Sequence, residues 1–271
     1  MHHDDDHDDF GGLQRDLLQT GTALGRRQAL KVAAQFGAGL GILQLFGCGS
    51  STEPGETNNP GGACTRIPEE TAGPYPGDGS NGPQVLTQTG VVRTDIRNSF
   101  AGLSGMAAGV PLTIALTIVS ATTCTPLANR AVYLWHCDRE GRYSLYSSGV
   151  TNQNYLRGVQ ETDATGKVSF TSTFPGCYAG RWPHIHFEVF PSLAQATNVA
   201  NKMATSQIAL PKAASDLVYA TTGYAQSITN LSQVTLASDM VFSDGSALEL
   251  ATITGTVAAG LTATLTVAVA G

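Results

Sequence analysis

The chain has 271 residues, of which 42% are hydrophobic and only 13% are charged, and its net charge at pH 7 is −6. This balance excludes a basic nucleic-acid groove and a polybasic membrane patch. It favours a globular protein whose partner is a small molecule. We interpret the opening "MHHDDDHDDF" as a solvated charged leader rather than as a metal-binding His/Asp tract.

The next segment has the features of an export signal. The arginine pair of "RRQALK" precedes an apolar stretch, residues 32–47, that contains no charged residue. This stretch is too short and too rich in Gly and Ala for a membrane span of about 20 residues, but it suits the apolar region of a signal. The arginine pair resembles a twin-arginine signal, which exports folded proteins. We therefore predict an export signal over residues 1–47 and a location in the periplasm or at the cell surface.

A lipid anchor and a tether are predicted after the signal. The segment "LFGC" resembles the cleavage box of bacterial lipoproteins, with Cys48 as the lipidated first residue of the mature chain; simple cleavage nearby and retention as an anchor are the alternatives. Residues 48–64 are dense in Gly, Ser, Pro and Asn, which is typical of a flexible tether. Residues 65–271 then form one domain, which is long enough to bury a core.

Four further cysteines remain once Cys48 is assigned to the anchor. An even number of cysteines in an exported protein predicts two disulfides. Three pairings are possible, and the sequence does not choose among them. The cysteines are Cys64, Cys124, Cys137 and Cys177.

Short segments with period-2 alternation or β-branched residues follow a turn-rich arm that begins at residue 64. They are "PLTIALTIVSA", "AVYLWHC", "GKVSFTSTF", "HIHFEVF", "SDMVFS" and "ATITGTV…LTATLTVAV". Turn signals such as "DATG" and "SDGS" separate them. This pattern predicts an all-β fold, an antiparallel β-sandwich with irregular loops and one or two short helices. The helical windows are residues 193–204 and, more weakly, 211–218.

The run "HIHFEVF" places His184 and His186 two residues apart, on one face of the predicted strand. An ordinary half-buried strand explains this motif by itself. Two phenols, Tyr143 and Tyr178, each follow a turn and supply further candidate ligands. Two phenolates with two neutral nitrogens favour ferric iron, whereas zinc more often recruits Cys, His and carboxylate. A ferrous site built from the two histidines and Glu188 remains an alternative.

Four segments carry a resemblance to a known family. They are "ETAGPYPGDGSN", "VYLWHCDREGRYS", "RGVQETDATGKVSFTSTFPGCYAGRWPHIHFEVF" and "TSQIALP". Together they resemble the intradiol ring-cleavage dioxygenases, the group that includes catechol 1,2-dioxygenase and protocatechuate 3,4-dioxygenase. The likeness extends over residues 65–271 in the family's order.

The resemblance implies roles for six residues. Four match the ligands of Fe(III), one matches an arginine beside the bound substrate, and one matches a glutamine behind the ligands; they are Tyr143, Tyr178, His184 and His186, then Arg181, then Gln207. The implied reaction takes a catecholic substrate and O2, cleaves the ring between its two hydroxylated carbons and yields a muconate-type diacid. Tyr178 would leave the metal and take up a substrate proton, and Arg181 would stabilise negative charge.

A different class of function remains open, since fold does not determine activity. The chain would then be a non-catalytic surface module that binds a metal or an aromatic ligand. The specific catechol and the oligomeric state are also left open.

Several neighbouring side chains receive structural roles. We predict that Tyr146 packs or lines the pocket wall, that Trp135 belongs to the core, and that His136 is structural or lies behind the ligands. Arg142 and Arg157 are predicted to form exposed salt bridges.

Overall fold

The computed structural model describes residues 64–271. The predicted export signal, residues 1–47, and all but the last residue of the predicted tether, residues 48–64, lie outside the described residues. Within the described range, no helix is long and apolar enough to cross a membrane.

Two four-stranded sheets, two short α-helices and two 3₁₀ turns, Val199–Asn201 and Phe242–Asp244, make up the regular structure of residues 64–271. The elements are β1 (Pro111–Ser120), β2 (Ala131–Trp135), β3 (Arg157–Glu161), β4 (Lys167–Thr173), β5 (His184–Phe190), β6 (Ala204–Ala209), α1 (Lys212–Tyr219), α2 (Ala225–Leu231), β7 (Thr252–Thr256) and β8 (Gly260–Val269). The outer sheet has the order β4-β1-β8-β7, and the site sheet has the order β3-β2-β5-β6. The predicted all-β sandwich is confirmed; β1 and β8 are parallel, and the other pairs are antiparallel.

The sandwich core lies between the two sheets. On β1, every second residue from Leu112 to Ile118 is buried, as period-2 alternation requires. On β5 the residues that join the same core are Ile185, Phe187 and Val189. The alternate residues of β5 therefore point to the opposite face of the site sheet.

This opposite face is also covered, because the arm, residues 64–110, folds over it. A second apolar cluster there includes Val85 and Phe100 from the arm and Tyr133 and Trp135 from β2. As a result β2, β5 and β6 are buried at every position. His184 and His186 thus lie between two apolar layers.

Arg157 holds the arm in place from β3. Its Nη1 donates to the carbonyl of Pro76 at 2.7 Å, and its Nη2 donates to the carbonyls of Tyr75 at 2.9 Å and Ser144 at 3.0 Å. The prediction of an exposed salt bridge was wrong for Arg157, which is 1% exposed. Arg142 does form salt bridges within its own loop, but it is half-buried, and of its two partners Glu140 is exposed and Asp138 is buried.

Two predictions of regular structure were wrong, both at short polar side chains. The helix predicted over residues 193–204 is absent: residues 193–203 form turns and a single 3₁₀ turn, Val199–Asn201, where Asn198 accepts a hydrogen bond from the Ala200 amide, and residue 204 begins β6. "SDMVFS" is not a strand, because the Asp239 carboxylate accepts from the Val241 and Phe242 amides and bends the chain. The weaker helical window is confirmed as α1.

One disulfide, Cys64–Cys124, is formed where two were predicted. Cys137 and Cys177 are buried thiols instead. The Cys137 thiol points to the carbonyl of Gly176 and the Cys177 thiol to that of Arg181, each at 3.4 Å. Burial raises the pKa of Cys177 to about 12. Both sulfurs therefore act as apolar core groups with weak donors.

Candidate metal centre and active site

Two loops bring the candidate tyrosines together beside β5. Tyr143 lies in the loop between β2 and β3, and Tyr178 lies in the loop between β4 and β5. The loops touch backbone to backbone at Gly176, whose amide donates to the carbonyl of Asp138; a Cβ on Gly176 would lie 2.6 Å from the Arg139 carbonyl oxygen. Gly141 has a φ of +82°, a left-handed conformation that glycine adopts without strain. These glycines allow the close approach of the two loops.

Four polar atoms converge at this point. The Tyr143 hydroxyl lies 3.3 Å from Nε2 of His184 and 3.2 Å from Nε2 of His186. The Tyr178 hydroxyl lies 3.1 Å from Nε2 of His184, and the two imidazole Nε2 atoms are 3.1 Å apart. All four side chains are buried. The structure thus brings together the four predicted ligands.

Contacts on the side away from the donor cluster hold the two histidine rings in place. Nδ1 of His184 donates to the carbonyl of Trp182 at 2.5 Å, which leaves Nε2 of that ring as the lone-pair nitrogen. The His186 ring stacks on Trp135, with an interplanar angle of 5° and centroids 5.0 Å apart. Register in the sheet explains this contact, since Trp135 and His186 are direct partners on β2 and β5. Trp135 is a core residue, as predicted.

The electrostatics of the cluster fit a cation. Burial, followed by the positive charge of Arg181, lowers the pKa of His184 well below its ordinary value; for His186 the causes are burial, then His184 and Arg181. Both rings are therefore neutral. Burial raises the pKa of Tyr143 well above its ordinary value. Two neutral imidazoles 3.1 Å apart leave lone pairs facing the same point, and a cation placed there would also favour the phenolates.

Arg181 and Gln207 lie beside this cluster and contact each other. Nη2 of Arg181 donates to Oε1 of Gln207 at 2.7 Å, and Nε2 of Gln207 donates to the carbonyl of Thr71 in the arm at 2.9 Å. Gln207 is the direct partner of His186 in the β5–β6 register. Gln207 therefore links the arm, the arginine and the histidine strand.

The rival ligands lie elsewhere. Among residues 64–271, no group of three or more His, Cys, Asp or Glu side chains could hold a metal, so the set of His184, His186 and Glu188 is not supported. Glu188 instead contacts Lys202 and the Thr205 hydroxyl. Burial raises the pKa of Glu188 to about 7.

Two other residues take the structural roles predicted for them. The Tyr146 hydroxyl bonds the Gly77 amide and Asn81 of the arm. His136 bonds the Ser172 hydroxyl and the carbonyl of Cys137. Neither side chain contributes an atom to the four-donor cluster.

Two residues of the site were missed by the sequence analysis. Tyr75 of the arm places its ring 4.9 Å from that of Tyr143. Asp239 is fully buried and receives Nε of Arg181 at 2.9 Å. An Asp side chain commonly accepts hydrogen bonds from backbone amides two and three residues later, as Asp239 does from Val241 and Phe242. The sequence therefore contains a local signal for the turn at Asp239.

Comparisons with known proteins agree with this geometry. The family model described as Dioxygenase (Dioxygenase_C) matches residues 81–222, just over half of the chain. An intradiol ring-cleavage dioxygenase from Tetranychus urticae is 24% identical with a TM-score of 0.62, over 76% of this chain and 95% of that one. A further dioxygenase crystal structure is 24% identical with a TM-score of 0.61, over the same shares of the two chains.

A third solved structure is more distant. The dioxygenase domain of a dioxygenase carbohydrate-binding protein fusion from Streptomyces sp. SirexAA-E is 20% identical with a TM-score of 0.47, over 76% of this chain and 98% of that one. No curated protein matches the chain.

The chain therefore belongs to the dioxygenase family that the model describes, and its fold is that of intradiol enzymes of known structure. The resemblance drawn from its sequence motifs is confirmed. By family the protein is therefore a dioxygenase.

Proposed function

We propose that this protein is a non-haem Fe(III) dioxygenase that cleaves a catecholic ring between its two hydroxylated carbons and yields a muconate-type diacid. The observation that carries the proposal is the convergence of two phenol oxygens and two imidazole nitrogens, joined by four contacts of 3.1–3.3 Å, in a buried site. Both atoms of O2 enter the product, so the reaction needs no other oxidant.

The residues that would hold the iron are Tyr143, Tyr178, His184 and His186. When bound, ferric iron supplies the activation of a chelated catechol towards O2. Hard phenolate oxygens and neutral imidazoles suit this ion, and the carbonyl of Trp182 keeps the lone pair of His184 directed inward.

The chain's own residues would perform the proton and charge chemistry. Tyr178 is the more exposed of the two phenols, at 7% against 1% for Tyr143, which suits the role of a base that takes a proton from an entering catechol. Arg181 is a buried cation beside the cluster, where it would stabilise negative charge as it develops on the ring. Trp135 stacks on His186 and Tyr75 packs against Tyr143, and both rings would help to keep water away from the donors.

Metal content and the visible spectrum of the protein, purified without added metal, test the proposal. We expect about one iron per chain, because residues 64–271 hold one set of four converging donors. We also expect a broad tyrosinate-to-Fe(III) band. Catechol and O2 should then yield a ring-opened diacid in which both new oxygen atoms come from O2. A protein that stays colourless after ferric loading would contradict the ligand set.

The alternative is a surface module that binds a metal or an aromatic ligand without turnover. The pairing of Arg181 with Gln207 beside the donors argues against it, because a pure binder has no need of a buried cation there. Perturbation of the iron band by catechol, with no consumption of O2, would favour the module.

We further propose that the protein is exported and tethered through a lipid on Cys48. The Cys64–Cys124 disulfide supports this location, because disulfides persist in oxidising compartments. Mass spectrometry of the mature N-terminus tests the lipid. An unmodified N-terminus upstream of residue 48 would refute it.

A further inference from the structure

Asp239 connects a distant part of the chain to the active site. It lies between α2 and β7, beyond the residues that the family model matches. Its carboxylate and the guanidinium of Arg181 form an ion pair at 2.9 Å in which both side chains are 0% exposed. A buried charge is tolerated only when it is paired and hydrogen-bonded, so this contact is a condition for placing Arg181 inside the protein.

The carboxylate is itself held firmly. Oδ2 accepts from Nε of Arg181 and from the Trp182 amide, the latter at 2.7 Å. Oδ1 accepts from the amides of Val241 at 2.8 Å and Phe242 at 3.2 Å. Any rotation of the carboxylate would break at least one of these bonds. It therefore serves as a fixed reference for the guanidinium.

A second contact fixes the plane of the guanidinium. Nη2 of Arg181 donates to Gln207, so the group is held at Nε by one partner and at Nη2 by another. The guanidinium is planar, and two such contacts define its orientation. Gln207 is the direct partner of His186 in the β5–β6 register, so this contact holds the guanidinium beside the strand that carries the two histidines.

We propose that Asp239 is a positioning residue that orients Arg181 towards the bound catechol. This inference rests on the proposed function. Asp239 does not contact the substrate; it acts by keeping the arginine in the geometry that stabilises charge on the ring. The C-terminal segment would then take part in the chemistry and not only in the packing of the domain.

Asp239→Asn is the first test. An amide keeps the size of the side chain but has one acceptor oxygen, so it cannot accept all four N–H groups. We expect the kcat for catechol to fall by about 100-fold, as misplacement of a catalytic group can cause, while the KM changes by less than about threefold. Iron content and the tyrosinate band should stay at the wild-type level, which a general loss of structure would not allow.

A double-mutant cycle assigns the effect to Arg181. If Asp239 acts through the arginine, Arg181→Ala combined with Asp239→Asn turns over catechol at the same rate as Arg181→Ala alone. Rates are compared per iron-loaded, folded protein. If the fall in kcat of the double variant equals the product of the falls in the two single variants, the two residues act independently and the proposal is overturned.

Glu188→Gln is the matched control. Glu188 is also a buried carboxylate paired with a cation, and it lies on the histidine strand, but its partner is Lys202. We expect this variant to keep both iron and kcat. Should Asp239→Asn fail to fold, Asp239→Glu keeps the charge but displaces it, and the same fall in kcat with unchanged iron is expected.

The outcomes separate this inference from the proposed function. A wild-type protein that binds iron but does not oxidise catechol contradicts the proposed function. A wild-type enzyme that is active, together with an Asp239→Asn variant of equal kcat, refutes only the positioning role.

Discussion

The two sheets of the sandwich differ in the burial of the face that points away from the sandwich core. In the outer sheet, β1 alternates between buried and more exposed positions, and β7 has no buried residue. In the site sheet, β2, β5 and β6 are buried throughout, because the arm covers them. Both imidazole donors lie on the covered sheet, and the two phenol donors lie in loops beside it. A sheet with a second dry face can hold neutral imidazoles and a buried arginine out of water, where their electrostatic effects are strong.

Replacing a ligand tyrosine should have the largest effect. Tyr143→Phe and Tyr178→Phe each remove one phenol oxygen from the four-donor cluster. We expect a loss of the tyrosinate band contributed by that residue and a fall in iron affinity of more than about 100-fold, since even residues behind metal ligands account for 10–100-fold. Metal analysis and titration with ferric ion measure this.

Tyr146→Phe is the matched control, three residues from Tyr143 and bonded to the arm instead. It should keep its iron. Full iron binding by both ligand variants would show that the covered face is not the metal site.

Removal of Arg157, which holds the arm in place, should have the second-largest effect. Arg157→Ala leaves the carbonyls of Tyr75, Pro76 and Ser144 without their buried donor. We expect the free energy of unfolding to fall by about 3–5 kcal/mol. Denaturant unfolding measures the change. Arg97→Ala, which breaks an exposed ion pair with Asp95, should change it by less than about 1 kcal/mol. Equal losses of stability in Arg157→Ala and Arg97→Ala would mean that Arg157 contributes little to holding the arm on the site sheet.

Removal of the disulfide tests whether the arm needs a covalent link to stay on the site sheet. Cys64–Cys124 joins the start of the arm to the connection between β1 and β2 over a separation of 60 residues. Cys64→Ser should lower the free energy of unfolding by about 2–4 kcal/mol. A reductant should destabilise the wild type by the same amount and leave the variant unchanged. A further loss in the variant would indicate another disulfide.

A pair of threonines compares the two sheets directly. Thr205 on β6 is buried, and its hydroxyl donates to Glu188. Thr264 on β8 is exposed, with a long bond of 3.4 Å to the Thr252 carbonyl. We expect Thr205→Val to cost about 1–2 kcal/mol and Thr264→Val less than about 0.5 kcal/mol. Thermal unfolding of both variants would detect the difference, and similar losses would remove the distinction between the sheets.

Much of the fold could be predicted, because strand periodicity is local. The alternation of "HIHFEVF" indicates which residues of β5 share a face, and the structure places His184 and His186 together on the face away from the sandwich core. The parallel pairing of β1 with β8 could not be predicted, since it joins the first strand to the last. Nothing local to either strand determines that contact.

The site was predicted where a residue type and its spacing indicate a metal ligand, and it was missed where only a long-range contact defines the role. Tyr143 and Tyr178 were found through the motifs around them. Asp239 and Tyr75 were missed because each reaches the site across a long separation in sequence. Arg157 was misassigned because a lone arginine in a polar segment does not reveal that its partners are backbone carbonyls.

The long sequence separation between contacting residues of the site also determines when the site can form during synthesis of the chain. Gln207 contacts Thr71, 136 residues earlier, and Arg181 contacts Asp239, 58 residues later. Such non-local contacts form late in folding and slow it. The site cannot be complete on a ribosome until residue 239 has emerged. If the proposed iron site is correct, we therefore expect the complete site to take up its metal after synthesis and not during it. If the proposed export in a folded state is also correct, the metal would have to bind between release from the ribosome and transport.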